Sequence, residues 1–198
     1  MSRLRLCVLV MSVALGACSV ENSEALASRT EAAPVMAWDK SAKGEIWTQA
    51  ALKALQEHGS ALPQVVPSDI DNYCPGYKTA SVADRQAFWA GLLSSMAKHE
   101  STWRETAVGG GGRWFGLVQI SPGTARAYGC EAKSGSALLD GAKNLSCAVR
   151  IMNRTVPRDG VVSAGMRGVA ADWGPFHSSR KRNDMMSWVS QQPYCSAG

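Results

Sequence analysis

Apolar residues recur with helical spacing in several separate stretches of this chain. The clearest stretch runs from Ser81 to about Ser101, where Phe88, Trp89, Leu92, Leu93 and Met96 repeat at three- and four-residue steps. It opens on Ser81-Val82-Ala83-Asp84, a hydroxyl followed three residues later by a carboxylate, which predicts a capped helix start. A helix is also predicted over Asp39 to Glu57, with Trp47, Ala51 and Leu55 on one face. Another should begin near Pro122, a proline suited to a first turn. A longer one is predicted over Ser136 to Arg154, with Leu138, Leu139, Ala142, Leu145, Ala148, Val149 and Met152, and with Pro157 and Gly160 breaking it. Two more are predicted over Ser163–Ala171 and Arg180–Gln191. No stretch alternates convincingly as a strand. At most a short irregular hairpin surrounds the four glycines Gly109 to Gly112. The pattern predicts a mainly α domain with little or no β.

The beginning of the chain reads differently. Met1-Ser2-Arg3-Leu4-Arg5 is short and basic, and an apolar run from Leu6 to Leu15 follows, the layout of a secretory signal. The run is too short to span a bilayer comfortably. It ends Leu15-Gly16-Ala17-Cys18, which resembles the lipobox of bacterial lipoproteins and implies cleavage after residue 17 with lipid on Cys18. Ser19 follows instead of Asp. By resemblance to Gram-negative lipoproteins, this places the protein on the periplasmic face of the outer membrane. The expected organisation is a lipoprotein signal peptide over 1–17 and a flexible tether over 18–37. An N-terminal helix and loop over 38–71, with Pro63 and Pro67 in the loop, then lead to a compact domain over 72–198 that begins at the Cys74-Pro75-Gly76 turn.

Loss of the signal would remove Arg3 and Arg5, lowering the formal charge from +5 to +3. Such a mild excess does not call for a nucleic acid partner, and Arg180-Lys181-Arg182 reads as a solvated helix face. Beyond Cys7 and Cys18, four cysteines remain: Cys74, Cys130, Cys147 and Cys195. An even number in an exported chain implies two disulfides, with three possible connectivities. Cys130–Cys147 with Cys74–Cys195 is favoured, because the second bond would tie the start of the compact domain to its end. The three histidines are scattered and no Cys/His spacing suits zinc, so no metal or other cofactor is expected.

One carboxylate stands out by position. Trp89, Leu93, Met96 and Glu100 follow steps of four, three and four, so Glu100 continues the apolar face of its helix. A carboxylate there loses hydration, its pKa rises, and it keeps a proton that it can deliver to a leaving group.

Two blocks surround this residue: Lys98-His99-Glu100-Ser101-Thr102-Trp103, then Trp114-Phe115-Gly116-Leu117-Val118-Gln119-Ile120-Ser121-Pro122-Gly123-Thr124-Ala125 beyond the glycine loop. Together they resemble the soluble lytic transglycosylase family of the lysozyme-like superfamily, over about residues 72–195. There a catalytic Glu-Ser pair at a helix end precedes a Gly-Leu-Met-Gln-like block and a Pro-x-Thr-Ala helix start. The resemblance implies a lysozyme-like helical domain of the goose-type/lytic transglycosylase kind. It implies Glu100 as general acid/base, Ser101 as its orienting neighbour, Gly116 where backbone meets glycan, and Gln119 lining the cleft. Trp114 lies beside the second block as a candidate sugar contact.

The third family block, Ala-Tyr-Asn-x-Gly, corresponds to Ala170-Ala171-Asp172-Trp173-Gly174, and its tyrosine is missing. That departure places Asp172 or Trp173 near the cleft. Trp173 would either stack on a sugar or fill the core. The implied substrate is the peptidoglycan glycan strand. One carboxylate suffices for a lytic transglycosylase, whereas Asp172 as a second would make a true lysozyme. A non-catalytic wall-binding lipoprotein is the alternative from another class.

Overall fold

The computed structural model describes residues 33–196, so the expected signal peptide, the Cys18 lipid site and most of the tether lie outside the described residues. The described chain is mainly helical. Its helices are α1 (Gly44–Gln56), α2 (Val82–Glu100), α3 (Pro122–Ala127), α4 (Gly135–Leu138), α5 (Gly141–Asp159) and α6 (Ser179–Ser190). Short 3-10 turns fill the connections. The one sheet among the described residues is a hairpin of β1 (Val108–Gly109) and β2 (Trp114–Phe115), antiparallel, with Val108 opposite Phe115.

Helix α2 is the axis of the domain. Every residue from Ala87 to Ala97 is buried, so neighbours pack on all sides of it, as expected of a helix that is apolar all round. Its start is fixed by Ser81, whose Oγ accepts the Asp84 N–H at 3.1 Å. Small residues let other elements approach closely. A Cβ on Gly91 would stand 2.1 Å from the Tyr194 hydroxyl oxygen. Buried Ser94 and Ser95 satisfy their hydroxyls on the carbonyls of Gly91 and Leu92. Trp89 donates to the Tyr77 hydroxyl at 2.9 Å, which stitches the helix to the preceding loop.

The other helices differ from the sequence pattern at their ends, for identifiable reasons. Helix α1 begins at Gly44, five residues later than expected. The residues before it form turns in which Asp39 accepts the Met36 N–H and buried Trp38 donates to Thr48 Oγ1 at 2.8 Å. The single helix expected over Ser136–Arg154 is two, because Asp140 caps a new start by accepting the Lys143 N–H at 3.0 Å. Pro157 does not break α5. It lies in the last turn, where only one ladder bond is forgone, and the helix stops at Gly160, which adopts the left-handed conformation at φ 67°. The helix expected over Ser163–Ala171 is absent. Asp69 accepts the N–H groups of Val162, Ser163 and Ala164, and Gly165, Met166 and Gly168 take positive φ, so the segment folds into two 3-10 turns.

Two expected boundaries move. The last residues assigned to the tether are packed: Met36 is buried, and Ala37 N–H donates to Ser94 Oγ of α2 at 2.9 Å. Residues 38–71 are not an appendage, since Trp38, Trp47, Leu55, Leu62 and Ile70 all join the same core as α2 and α5. Both expected disulfides are formed, Cys74–Cys195 and Cys130–Cys147.

Candidate active site

Helix α2 ends at Glu100, and buried Ser101 closes it, its N–H donating to the Ala97 carbonyl. Thr102 and Trp103 then both take left-handed conformations, φ 54° and 55°, which non-glycine residues seldom adopt. The Trp103 indole N–H donates to the Ser94 carbonyl at 2.9 Å, holding the reversed chain against α2. The tight turn keeps Glu100 half-buried at the rim of the core. Burial pushes its carboxyl up from 4.5 to about 7, and the ammonium of Lys181 on α6 pulls in the opposite direction. No side-chain hydrogen bond among the described residues engages the carboxylate. A carboxyl of this kind holds a proton at neutral pH and is free to give it away.

Ser101 is turned inward. Its Oγ donates to the Ala97 carbonyl at 3.3 Å and accepts the Arg104 N–H at 3.2 Å, so its hydroxyl stabilises the helix end that carries Glu100.

The second block wraps around Asn144 of α5. This buried amide donates to the carbonyls of Phe115 and Leu138 and accepts the Val118 N–H at 3.0 Å. Gly116 is buried beneath it at φ 84°, and a Cβ there would lie 2.2 Å from the Leu138 carbonyl oxygen and 2.3 Å from Asn144 Nδ2. The glycine is thus required by protein packing, where the sequence suggested glycan approach. Gln119 likewise braces the hairpin: its amide donates to the carbonyls of Gly116 and Ala107, at 2.8 and 3.2 Å. Asn144 itself was missed. An asparagine among Leu145, Ala148 and Val149 on an apolar helix face was the available signal.

The aromatic candidates separate clearly. Trp173 is 3% exposed and donates to the Val118 carbonyl at 2.8 Å, so it is a core residue that ties the third block to the second. Trp114 is 42% exposed, with the Arg113 guanidinium 4.8 Å from its ring centroid and Gly110 lying against the ring. Asp172 is exposed and accepts the Tyr128 hydroxyl at 3.1 Å. Desolvation raises its carboxyl, which Tyr128 and Arg158 partly offset. Its hydrogen-bond partner is therefore a phenol at the end of α3, with the charge of Arg158, itself paired to Asp159 on α5, also acting on it; Glu100 is not among them. Tyr128 is a second residue the motif reading did not find, for it lies outside all three blocks.

A charged cluster adjoins Glu100. Asp184 of α6 accepts both the Lys98 ammonium and the His99 Nε2–H of α2, each at 2.8 Å. Burial lowers the His99 pKa, while Asp184 works against that. Lys181, one turn earlier on α6, is half-buried and close enough for its charge to bear on both His99 and Glu100. It is not part of a wholly solvated face, as the Arg180-Lys181-Arg182 run suggested.

Residues 79–164 match the model of the family described as the transglycosylase SLT domain. The fold also matches solved structures of Bd0314 DslA. One glutamate-to-glutamine variant of that protein is 32% identical, with 82% of this chain and 98% of that chain covered and a TM-score of 0.75. A second variant, at a different glutamate, gives 32% identity, 83% and 99% coverage and a TM-score of 0.75. The wild-type form gives 31% identity, 82% and 98% coverage and a TM-score of 0.70. This chain belongs to the SLT transglycosylase family. As an SLT transglycosylase it is an enzyme of the peptidoglycan-cleaving class. No curated protein matches it. The SLT match takes in Glu100, the glycine hairpin, Gly116, Gln119 and Asn144.

Proposed function

We propose that this enzyme cleaves the MurNAc–GlcNAc β-1,4 bond by the lytic transglycosylase route, with Glu100 as its general acid and base. The observation that carries the proposal is a half-buried carboxyl at the end of an apolar helix face, raised to about 7 and held by no side-chain hydrogen bond among the described residues. Protonated Glu100 gives its proton to the glycosidic oxygen, and the bond to C1 of MurNAc breaks as GlcNAc leaves. The substrate's own N-acetyl group assists at C1. The C6 hydroxyl then attacks C1, returns its proton to Glu100 and closes the anhydro ring. Trp114, the exposed indole of the hairpin, is the sugar-facing ring in this reading, because aromatic faces pack on the apolar faces of pyranoses.

The alternative is hydrolysis with Asp172 as a second carboxylate. Its hydrogen bond with Tyr128, and the Arg158 charge that favours its ionised form, favour the single-acid route. Mass spectrometry of products from purified peptidoglycan separates the two. An anhydro product that survives Asp172→Asn and vanishes in Glu100→Gln supports transglycosylation; a hydrated reducing end that vanishes in Asp172→Asn refutes it. The amide at position 100 keeps the shape and loses the proton, so activity should fall by about 100-fold or more. In the same reading the enzyme is exported, lipidated at Cys18 and held at the periplasmic face of the outer membrane. Loss of membrane fractionation in Cys18→Ser tests this.

A further inference from the structure

We propose that Lys181 is a positioning residue of the reaction, a cation of α6 that sets the acid strength of Glu100. The inference rests on Glu100 being the working acid. Its geometry begins with Asp184, whose Oδ2 accepts both Lys98 Nζ and His99 Nε2 at 2.8 Å. These bonds pin α6 to the last turn of α2. Lys181 lies three residues before Asp184, on the same helix face. The face that meets Lys98 and His99 therefore also presents Lys181 to the helix end where Glu100 follows. Asp184 would be the natural partner of Lys181 along the helix. Lys98 and His99 both engage its Oδ2 instead. Tyr194, just beyond the end of α6, rests against Gly91, so α6 runs back along α2 and its first turn, with Lys181, lies toward the Glu100 end.

Most other charged groups of α6 and of the segments that follow the site's blocks are committed elsewhere. Arg182 donates to the Phe176 carbonyl at 2.6 Å, and His177 engages the Ala170 carbonyl at 2.7 Å. Arg104 donates to the Ser101 carbonyl, and Asp172 accepts from Tyr128. Arg180 is exposed. Lys181 also stands in the first turn of α6, where the helix dipole disfavours a cation, so helix stability does not account for it.

The arrangement answers two opposed demands on one carboxyl. Burial keeps Glu100 protonated before the reaction. Burial alone also makes it a weak acid toward a poor leaving group, and a nearby cation restores acid strength. Lys181 touches neither sugar nor leaving group in this role; it acts through Glu100.

The test pairs a direct titration with a kinetic one in the full chain. The Glu100 carboxyl is followed by carbon NMR in the parent, Lys181→Met and Lys181→Arg, with Glu100→Gln identifying its signal. The pH profile of kcat/KM on purified peptidoglycan is measured for the same variants. In Lys181→Met the Glu100 midpoint should rise by on the order of one unit, the lower end of what a neighbouring opposite charge produces. The alkaline limb of the profile should move with it. Lys181→Arg, which keeps the charge, should restore both. An unmoved Glu100 titration overturns the proposal, even if Glu100→Gln is inactive and the acid assignment stands. A titration that moves without the kinetic limb also overturns it. In that case an active Glu100→Gln enzyme shows that the assignment of the acid has failed as well.

Discussion

Replacing Gly116 by alanine separates the two roles that this glycine could have. If it exists for protein packing, Gly116→Ala damages the fold. If it exists for glycan approach, the damage is confined to catalysis. The new Cβ would lie 2.2 Å from the Leu138 carbonyl oxygen and 2.3 Å from Asn144 Nδ2. Neither can yield cheaply, since one is backbone and the other is held by bonds to Phe115, Leu138 and Val118. Left-handed backbone at a non-glycine residue costs about 1–2 kcal/mol. Overpacking adds about 1–3 kcal/mol. Each Asn144 bond lost adds roughly 1 kcal/mol. The expected loss is therefore about 3–6 kcal/mol, a large share of the roughly 5–15 kcal/mol that holds a domain together. Gly111→Ala is the matched control. It has a similar backbone conformation, φ 66°, with nothing within 4 Å of the added carbon, so only the backbone strain of about 1–2 kcal/mol applies. Urea unfolding followed by tryptophan fluorescence gives both values from the shift in midpoint at constant slope. Equal midpoints for the two variants, with wall cleavage lost only in Gly116→Ala, would refute the packing argument.

The raised Glu100 carboxyl also makes a prediction about pH and stability. Its folded value of about 7 stands above the reference of 4.5, so the stability it confers is present below 4.5 and is lost as pH rises through 7. Glu100→Gln should thus be more stable than the parent at pH 8, by up to about 3 kcal/mol, and nearly equal to it at pH 4; no difference in melting between those pH values refutes the burial argument. Opening Cys130–Cys147, a separation of 17, should cost about 3 kcal/mol. Opening Cys74–Cys195, a separation of 121, should cost more, about 4–5 kcal/mol, and paired Cys→Ser variants in thermal melts check the order. Trp173→Phe strands the Val118 carbonyl and should lose about 1–3 kcal/mol, whereas Trp114→Ala should melt like the parent and raise KM for glycan. Glu105→Gln should lower the melting temperature without changing folded-state activity, because Glu105 pairs with Lys43 and accepts from Trp47 and from the Gly141 N–H that opens α5.

The parts of this molecule legible in its sequence are those fixed by local or pairwise chemistry. The bounds of α2 follow from Ser81 and the apolar repeat, and the burial of Glu100 follows from the same repeat. The hairpin is marked by its glycines, and the presence of two disulfides by the even count of four cysteines, with one of three possible pairings favoured. What escaped depends on long-range contacts. The segment 163–171 has a helical pattern, yet Asp69, some 90 residues away, takes its N–H groups and bends it. Gly116 has a family role in sequence and a packing role in space, because Asn144 comes down on it from another helix. Lys181 reads as one member of a basic run until Asp184 is seen held by Lys98 and His99.

The meeting of the two ends of the described chain has a practical consequence. The Tyr194 hydroxyl donates to the Val35 carbonyl at 3.2 Å, and the same hydroxyl rests against Gly91 near the middle of α2. Glu100 stands nine residues farther along that helix, about 14 Å away at the helical rise. Val35 and Tyr194, each near one end of the described residues, therefore meet at a place set back from the acid. A surface coupled there, by fusion at either end, would hold the enzyme without an attachment at the helix end that carries Glu100. New ends opened in the glycine loop at Gly111, with the old ones joined by a short linker, would interrupt the hairpin instead. The two formats, compared for activity on insoluble wall, would show how far cleavage depends on an uninterrupted hairpin.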